Sequence, residues 1–147
     1  MKKTTTIRSL SPNFGNRLIT LSIGSIFFIF GILKFLPEFS PAEDIAKSTI
    51  NVLLLGLIPE NISYQLLAIW ESSIGVLFIL NYKPKLAIFL ALIHLSLTFS
   101  TFFIFPELVF NSTPFSFTLL GQYIIKNIII LSVLVSLLLN KQYVNND

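Results

Sequence analysis

In a chain of 147 residues with 54% hydrophobic and only 12% charged side chains, there is too little polar surface to cover a water-soluble globule, since soluble domains carry about 25% charged residues. The absence of cysteine excludes disulfides, CxxC redox pairs, thiolate metal sites and covalently attached c-type haem. The net charge of +3 is a weak bias, better explained by membrane topology than by nucleic acid, which is not an expected partner.

The first apolar run, "RLITLSIGSIFFIFGILKFL", extends from about Arg17 to Leu36 and stops at Pro37. Lys2, Lys3 and Arg8 precede it, as in a secretory leader. The run is longer than a leader's apolar core, however, and no small-x-small cleavage site follows, so a retained helix is expected. Next comes "SPAEDIAKSTINVLLLGLIP", which opens like a capping box with Ser40 as N-cap, Pro41 at N1 and Glu43 at N3, and closes at Gly56 and Pro59. This predicts a helix over about 41–56, too short and too charged at its start for a good span and suited to lying on the outer leaflet. A fifth crossing is the alternative, and it would put the termini on opposite sides.

Three more runs follow: one from about Ser63 to Leu80, one over 85–105 between Pro84 and Pro106, and one from about Thr118 to Leu139. Each approaches or exceeds the roughly 20 helical residues that cover the hydrocarbon core. The expected fold is all-α and integral to the membrane. A bundle of four transmembrane helices carries a short interfacial helix in the first outer loop, as a single domain over 1–147 with no internal repeat.

Charge sets the expected orientation. Lys2, Lys3, Arg8, Arg17, Lys83, Lys85 and Lys141 fall in the N-terminal segment, the "NYKPK" link and the C-terminal segment. Glu38, Glu43, Asp44, Glu60 and Glu107 fall in the other two connections, with Lys47 among them. The positive-inside rule then places both termini in the cytoplasm and the two longer loops outside.

Three ionisable residues lie deep in separate spans. Glu71 and Lys126 sit roughly 12 Å below the outer ends of their helices, and His94 roughly 15 Å from the inner end, so antiparallel neighbours would bring all three to one level. An ionised group at such depth costs about 2.5–3.5 kcal/mol on insertion scales and requires a partner. Small residues share its helical faces: Ala68, Ser72 and Gly75 with Glu71; Ala87, Ala91, Thr98 and Thr101 with His94; Thr20, Gly24 and Gly31 on the first span. Such stripes mark helix contact in lipid. Thr118, Gln122 and Lys126 line up on the fourth span, with Asn127 beside them.

The expected buried polar cluster is therefore Glu71, His94, Gln122, Lys126 and Asn127, with Lys126 the favoured partner of Glu71. Lys34, nearer the outer end of its span, either snorkels to the surface or reaches down toward Glu71. Two roles are open to the cluster: fixing which helices dock, or lining a cavity that binds a ligand or handles protons.

Trp70 points along a different face from Glu71 and reads as a packing or lipid contact. Tyr64, Tyr82 and Tyr143 read as interfacial anchors. One histidine cannot supply both axial ligands of a haem, and one His with one deep Glu makes no metal site. No Ser/His/Asp spacing or Gly-rich phosphate loop is present.

The segments "GILKFLPEFSPAE", "LIPE…LAIWESSIG", "FIFPELVF" and "TLLGQYIIKN", in this order, resemble the DoxX-like membrane proteins, with a closer likeness to bacterial members of the YkgB-type group. The resemblance covers roughly Arg17 to Leu139. It rests on Lys34, Trp70, Glu71, His94, Gln122, Tyr123, Lys126 and Asn127. It implies a four-helix protein of the bacterial inner membrane, for some relatives associated with quinone-linked or oxidative-stress systems.

Three readings follow. The first is an accessory or ligand-binding component of such a system, with a quinone or lipid as ligand and a membrane redox partner or a second copy of itself beside it. The second is a small proton-linked transporter or channel. The third is a quinone-dependent oxidoreductase with Lys126 or His94 as proton donor, for which the sequence supplies no electron carrier.

Overall fold

The computed structural model describes residues 12–36, 39–40, 42–111 and 116–140. Among these residues eight helical segments follow one another: α1 (Pro12–Leu33), α2 (Glu43–Leu53), α3 (Glu60–Leu80), α4 (Pro84–Phe99), α5 (Thr101–Ile104), α6 (Pro106–Val109), α7 (Leu119–Ile125) and α8 (Asn127–Leu139). Among the described residues the extended pairing is a single antiparallel bridge between Phe110 and Phe117.

Among the described residues four stretches are long and apolar enough to cross a membrane: Phe14–Leu33, Glu60–Leu80, Pro84–Ile104 and Leu119–Leu139. They coincide with the four predicted runs to within a few residues. Pro37, Glu38 and Pro41 lie outside the described residues, as do Lys2, Lys3, Arg8, Lys141, Tyr143 and the "VNND" tail.

The third and fourth of these stretches are each interrupted by one residue. At Ser100 the hydroxyls of the preceding turn bond back to the helix, Ser100 Oγ donating to the Leu97 carbonyl at 2.6 Å and Thr98 Oγ to the His94 carbonyl at 3.0 Å. Such back-bonding competes with the regular ladder and bends helices. At Lys126 the backbone stays helical but tightens, with the Ile129 amide bonding to the Lys126 carbonyl at 3.1 Å.

α1 and α3 run antiparallel in close contact. At one end the Arg17 guanidinium donates to the Phe78 and Ile79 carbonyls at 3.2 and 2.7 Å. A cation there adds donors to carbonyls of the last helical turn and complements the negative end of the helix dipole. Between the ends the approach depends on glycine. A Cβ on Gly75 would stand 2.5 Å from the Phe28 amide nitrogen, and one on Gly31 2.5 Å from that of Ser72. Thr20, Ala68, Ile74 and Phe78 are buried along the same seam. α4 packs on α3 on one side and on α8 on the other, burying Ala87, Ile88, Ala91 and Leu95.

The α3–α4 turn is short because Asn81 accepts a left-handed conformation at φ 53°. Its amide bonds to the Phe78 carbonyl, that of Tyr82 to the Leu77 carbonyl, and Pro84 starts α4. These two bonds form a Schellman closure, in which asparagine is the usual substitute for glycine.

The helix predicted over 41–56 is shorter, Glu43–Leu53, and begins after Ala42 without a side-chain cap bond, so Ser40 is not its N-cap. Glu43 instead meets Lys47 one turn on, at 2.6 Å. The helix ends with Leu55 at φ 53° and Gly56 at φ 70°. α2 rests on α3 and α5, where Thr49 Oγ and Thr101 Oγ share a buried hydrogen bond of 3.3 Å.

Candidate functional site

Glu71 lies on the mid-section of α3, on the face that also carries Ala68 and Gly75. It is 6% exposed, so both carboxylate oxygens need partners inside the protein. Oε2 accepts from Lys34 Nζ at 2.6 Å, and Oε1 lies 3.2 Å from His94 Nε2. The three side chains come from the turn after α1, from α3 and from α4, and are all largely enclosed, with 10% of the Lys34 side chain exposed and 12% of His94.

The local sequence explains the convergence. Gly31 and Ser72 let α1 approach α3, so Lys34, in the turn that follows α1, is delivered beside Glu71. A salt bridge this short is charge-assisted and stronger than a neutral hydrogen bond. His94 is held by aromatic edges: its ring centre lies 5.5 Å from that of Phe27 and 6.3 Å from that of Trp70, both T-shaped.

Lys126 is not the partner of Glu71. It is exposed, and its Nζ lies 5.1 Å from the centre of the Tyr123 ring on its own helix. The expectation rested on depth and on the polar stripe of Thr118, Gln122 and Lys126, and neither fixes the order of helices around a bundle. α4 lies between α3 and α8, while α1 occupies the small-residue face of α3.

Gln122 is likewise exposed, its side-chain amide turned back to the Phe117 carbonyl at 3.5 Å, and Asn127 is half-buried. Thr118 caps α7 by accepting from the Gly121 amide at 3.1 Å and donates to the Leu108 carbonyl at 2.7 Å. The expected five-residue cluster thus separates. Glu71 and His94 form the centre with Lys34, while Gln122, Tyr123 and Lys126 face outward on α7 and the turn after it. A reading in which Lys126 donates a proton at this centre is excluded by the same geometry.

Trp70 makes the first of the two contacts expected of it, packing, with its ring set edge-on to His94. Its indole Nε1 is buried with no hydrogen-bond partner, as is Ser72 Oγ next to Glu71, whereas the Tyr64 hydroxyl six residues earlier meets Ser40. Tyr64 itself is 3% exposed, which moves it from an interfacial anchor to the protein interior. Lys47 of α2 lies 5.3 Å from the centre of its ring.

Sequence reasoning also missed the capping role of Arg17, which was counted only as a topological charge. A cation at the margin of an apolar run was the available signal. Among the described residues no group of three His, Asp or Glu side chains is placed to hold a metal.

The centre can therefore hold one buried unit of each charge, accept or release a proton at imidazole, and offer unused donors to an acceptor-rich group. No protein-family model, curated protein or solved structure matches this chain.

Proposed function

We propose that the chain is a multi-pass membrane protein that binds a small, uncharged, carbonyl-bearing lipophile of the quinone class beside Glu71, as an accessory component of a redox or envelope-stress system. Membrane insertion is supported by the four long apolar helices. The orientation with cytoplasmic termini is supported by exposed Lys83 and Lys85 in and after the α3–α4 turn, and by exposed Asp44, Glu60 and Glu107 on the connections at the other end.

The observation that carries the ligand reading is the set of unpartnered donors on α3. Trp70 Nε1 and Ser72 Oγ are buried without acceptors on either side of a carboxylate that is itself paired. An unmet buried donor costs about 1–3 kcal/mol, and a carbonyl oxygen would satisfy it. Lys34 and Glu71 neutralise each other, so the favoured ligand has no net charge. The likeness to DoxX-like proteins, some of them quinone-linked, points the same way.

Native mass spectrometry of the detergent-purified chain tests this reading, together with quenching of Trp70 emission by an added short-chain quinone. A retained lipophile, and quenching weakened by Ser72→Ala, are the expected results. A ligand-free protein whose emission responds identically in the two forms would overturn it.

The 3.2 Å approach of His94 Nε2 to Glu71 favours a second reading, proton movement through the centre. It predicts pH-driven flux in vesicles that disappears in His94→Ala.

A further inference from the structure

Lys126 poses a problem that the centre at Glu71 does not solve. It lies seven residues into an apolar span that begins at Leu119, roughly 11 Å along the helix axis, and it faces outward. Gln122 and Tyr123 flank it one turn earlier and are also exposed, Tyr123 at 58%. Gly121 and Ile124 are buried on the opposite side, where the helix meets its neighbours. This span is the least covered of the four, with 17% of its central stretch buried against 39% for α3.

Exposed leucines and isoleucines need no explanation in lipid. An exposed ammonium and a carboxamide at this depth do, because hydrocarbon leaves such groups unsolvated. The Tyr123 ring supplies part of the missing environment through a cation–π contact. It supplies no negative charge.

We infer that the outward face of α7 around Lys126 docks a transmembrane helix of a different protein, one that carries a carboxylate at matching depth. Charge complementarity selects the carboxylate, and Gln122 adds a donor and an acceptor for the partner's neighbouring polar groups.

A second copy of this chain fits less well. Among the described residues, Glu43, Asp44, Glu60 and Glu107 all lie in the first turns of their helices, and Glu71 is enclosed and paired with Lys34. A copy packed through α7 in the same orientation would also bring Lys126 toward Lys126. The inference rests on the membrane reading but not on the ligand reading.

The test uses the full chain in phosphatidylcholine vesicles, with a donor dye on a Tyr82→Cys substitution, which introduces the chain's sole cysteine. The probe is an acceptor-labelled leucine-rich helix of about 21 residues with one glutamate roughly 11 Å from its outer end. Its controls carry glutamine or leucine at that position. Energy transfer should show the glutamate helix binding about five- to tenfold more tightly than the leucine helix. The difference should vanish in Lys126→Met, and it should return when Lys126→Glu meets a helix carrying lysine.

Equal binding of the three helices would overturn the proposal, as would a preference that survives Lys126→Met. Efficient self-crosslinking of a Gln122→Cys form would assign the face to a second copy instead. A Lys126-dependent preference for anionic vesicles, without helix binding, would assign it to lipid headgroups. Resistance of the vesicle-bound chain to alkaline extraction is read separately, so failure of the membrane reading is distinguishable from failure of the docking face.

Discussion

Gly31 and Ser72 pass so closely that a methyl group on the glycine would stand 2.5 Å from both the amide nitrogen and the Oγ of the serine. The serine amide belongs to helix backbone, so no rotamer change relieves the clash. Gly31→Ala should force α1 away from α3 and destabilise the protein by about 1–3 kcal/mol, read as a lower midpoint of thermal unfolding in detergent. Gly15→Ala is the control, because nothing lies within 4 Å of a Cβ there. Equal midpoints for the two variants would mean that the α1–α3 seam is looser than described.

The same seam carries Lys34 to Glu71. Glu71→Gln leaves the ammonium buried without a counter-charge and should cost about 3 kcal/mol. Replacing both residues with methionine removes the desolvation problem together with the attraction, so the double variant should recover most of the loss. Lys126→Met should leave stability near the starting value. A double-mutant cycle that coupled Glu71 to Lys126 rather than to Lys34 would contradict the site.

Arg17 donates two hydrogen bonds to the last carbonyls of α3. Arg17→Ala should lower stability by about 1.5–3 kcal/mol, the range for hydrogen bonds to charged groups. Arg17→Lys should recover only part, since an ammonium cannot hold two carbonyls with the guanidinium's forked geometry. Unfolding midpoints in detergent decide the order of the three forms.

Leu55 adopts φ 53° with its side chain 84% exposed. Left-handed backbone costs a side-chain-bearing residue about 1–2 kcal/mol, and little packing is lost by truncation. Leu55→Gly should therefore raise the unfolding midpoint in detergent. A lower midpoint would mean that the leucine side chain has contacts outweighing its backbone strain.

Trp70 is the sole tryptophan of the chain and packs edge-on against His94. A protonated imidazole quenches indole emission, so Trp70 fluorescence should fall as His94 takes up a proton. The titration should be absent in His94→Gln. An identical pH response in that variant would separate the two rings.

Much of this organisation was legible in the sequence. Apolar run length and flanking prolines located the four long helices, because an unbroken apolar run of about 20 residues favours one continuous helix and proline ends it. The small residues Gly31, Gly75, Ala87 and Ala91 marked contact faces, because only they permit close backbone approach. The level of Glu71 and His94 followed from the helical rise. What stayed hidden was angular order. Rise along a helix says nothing about which neighbour stands on which side, so Lys34 and Lys126 were both eligible and the deeper residue was preferred. Ser40 showed a second kind of ambiguity: a capping motif competes with other bonds of its own acid, and Glu43 pairs with Lys47. The packing alternative for Trp70 held, but its neighbour His94 was not legible, because an aromatic beside a polar face can turn toward it or away at little cost in local geometry.

The Lys34–Glu71 pair joins two helices that leave the ribosome at different times. With α1 made first, its lysine must wait, unneutralised, until some forty residues later in synthesis the glutamate of α3 emerges. Under the membrane reading, release of the first helix into lipid is disfavoured until then. The two should therefore leave the insertion machinery together as a hairpin, and a chain truncated before Glu71 should linger there.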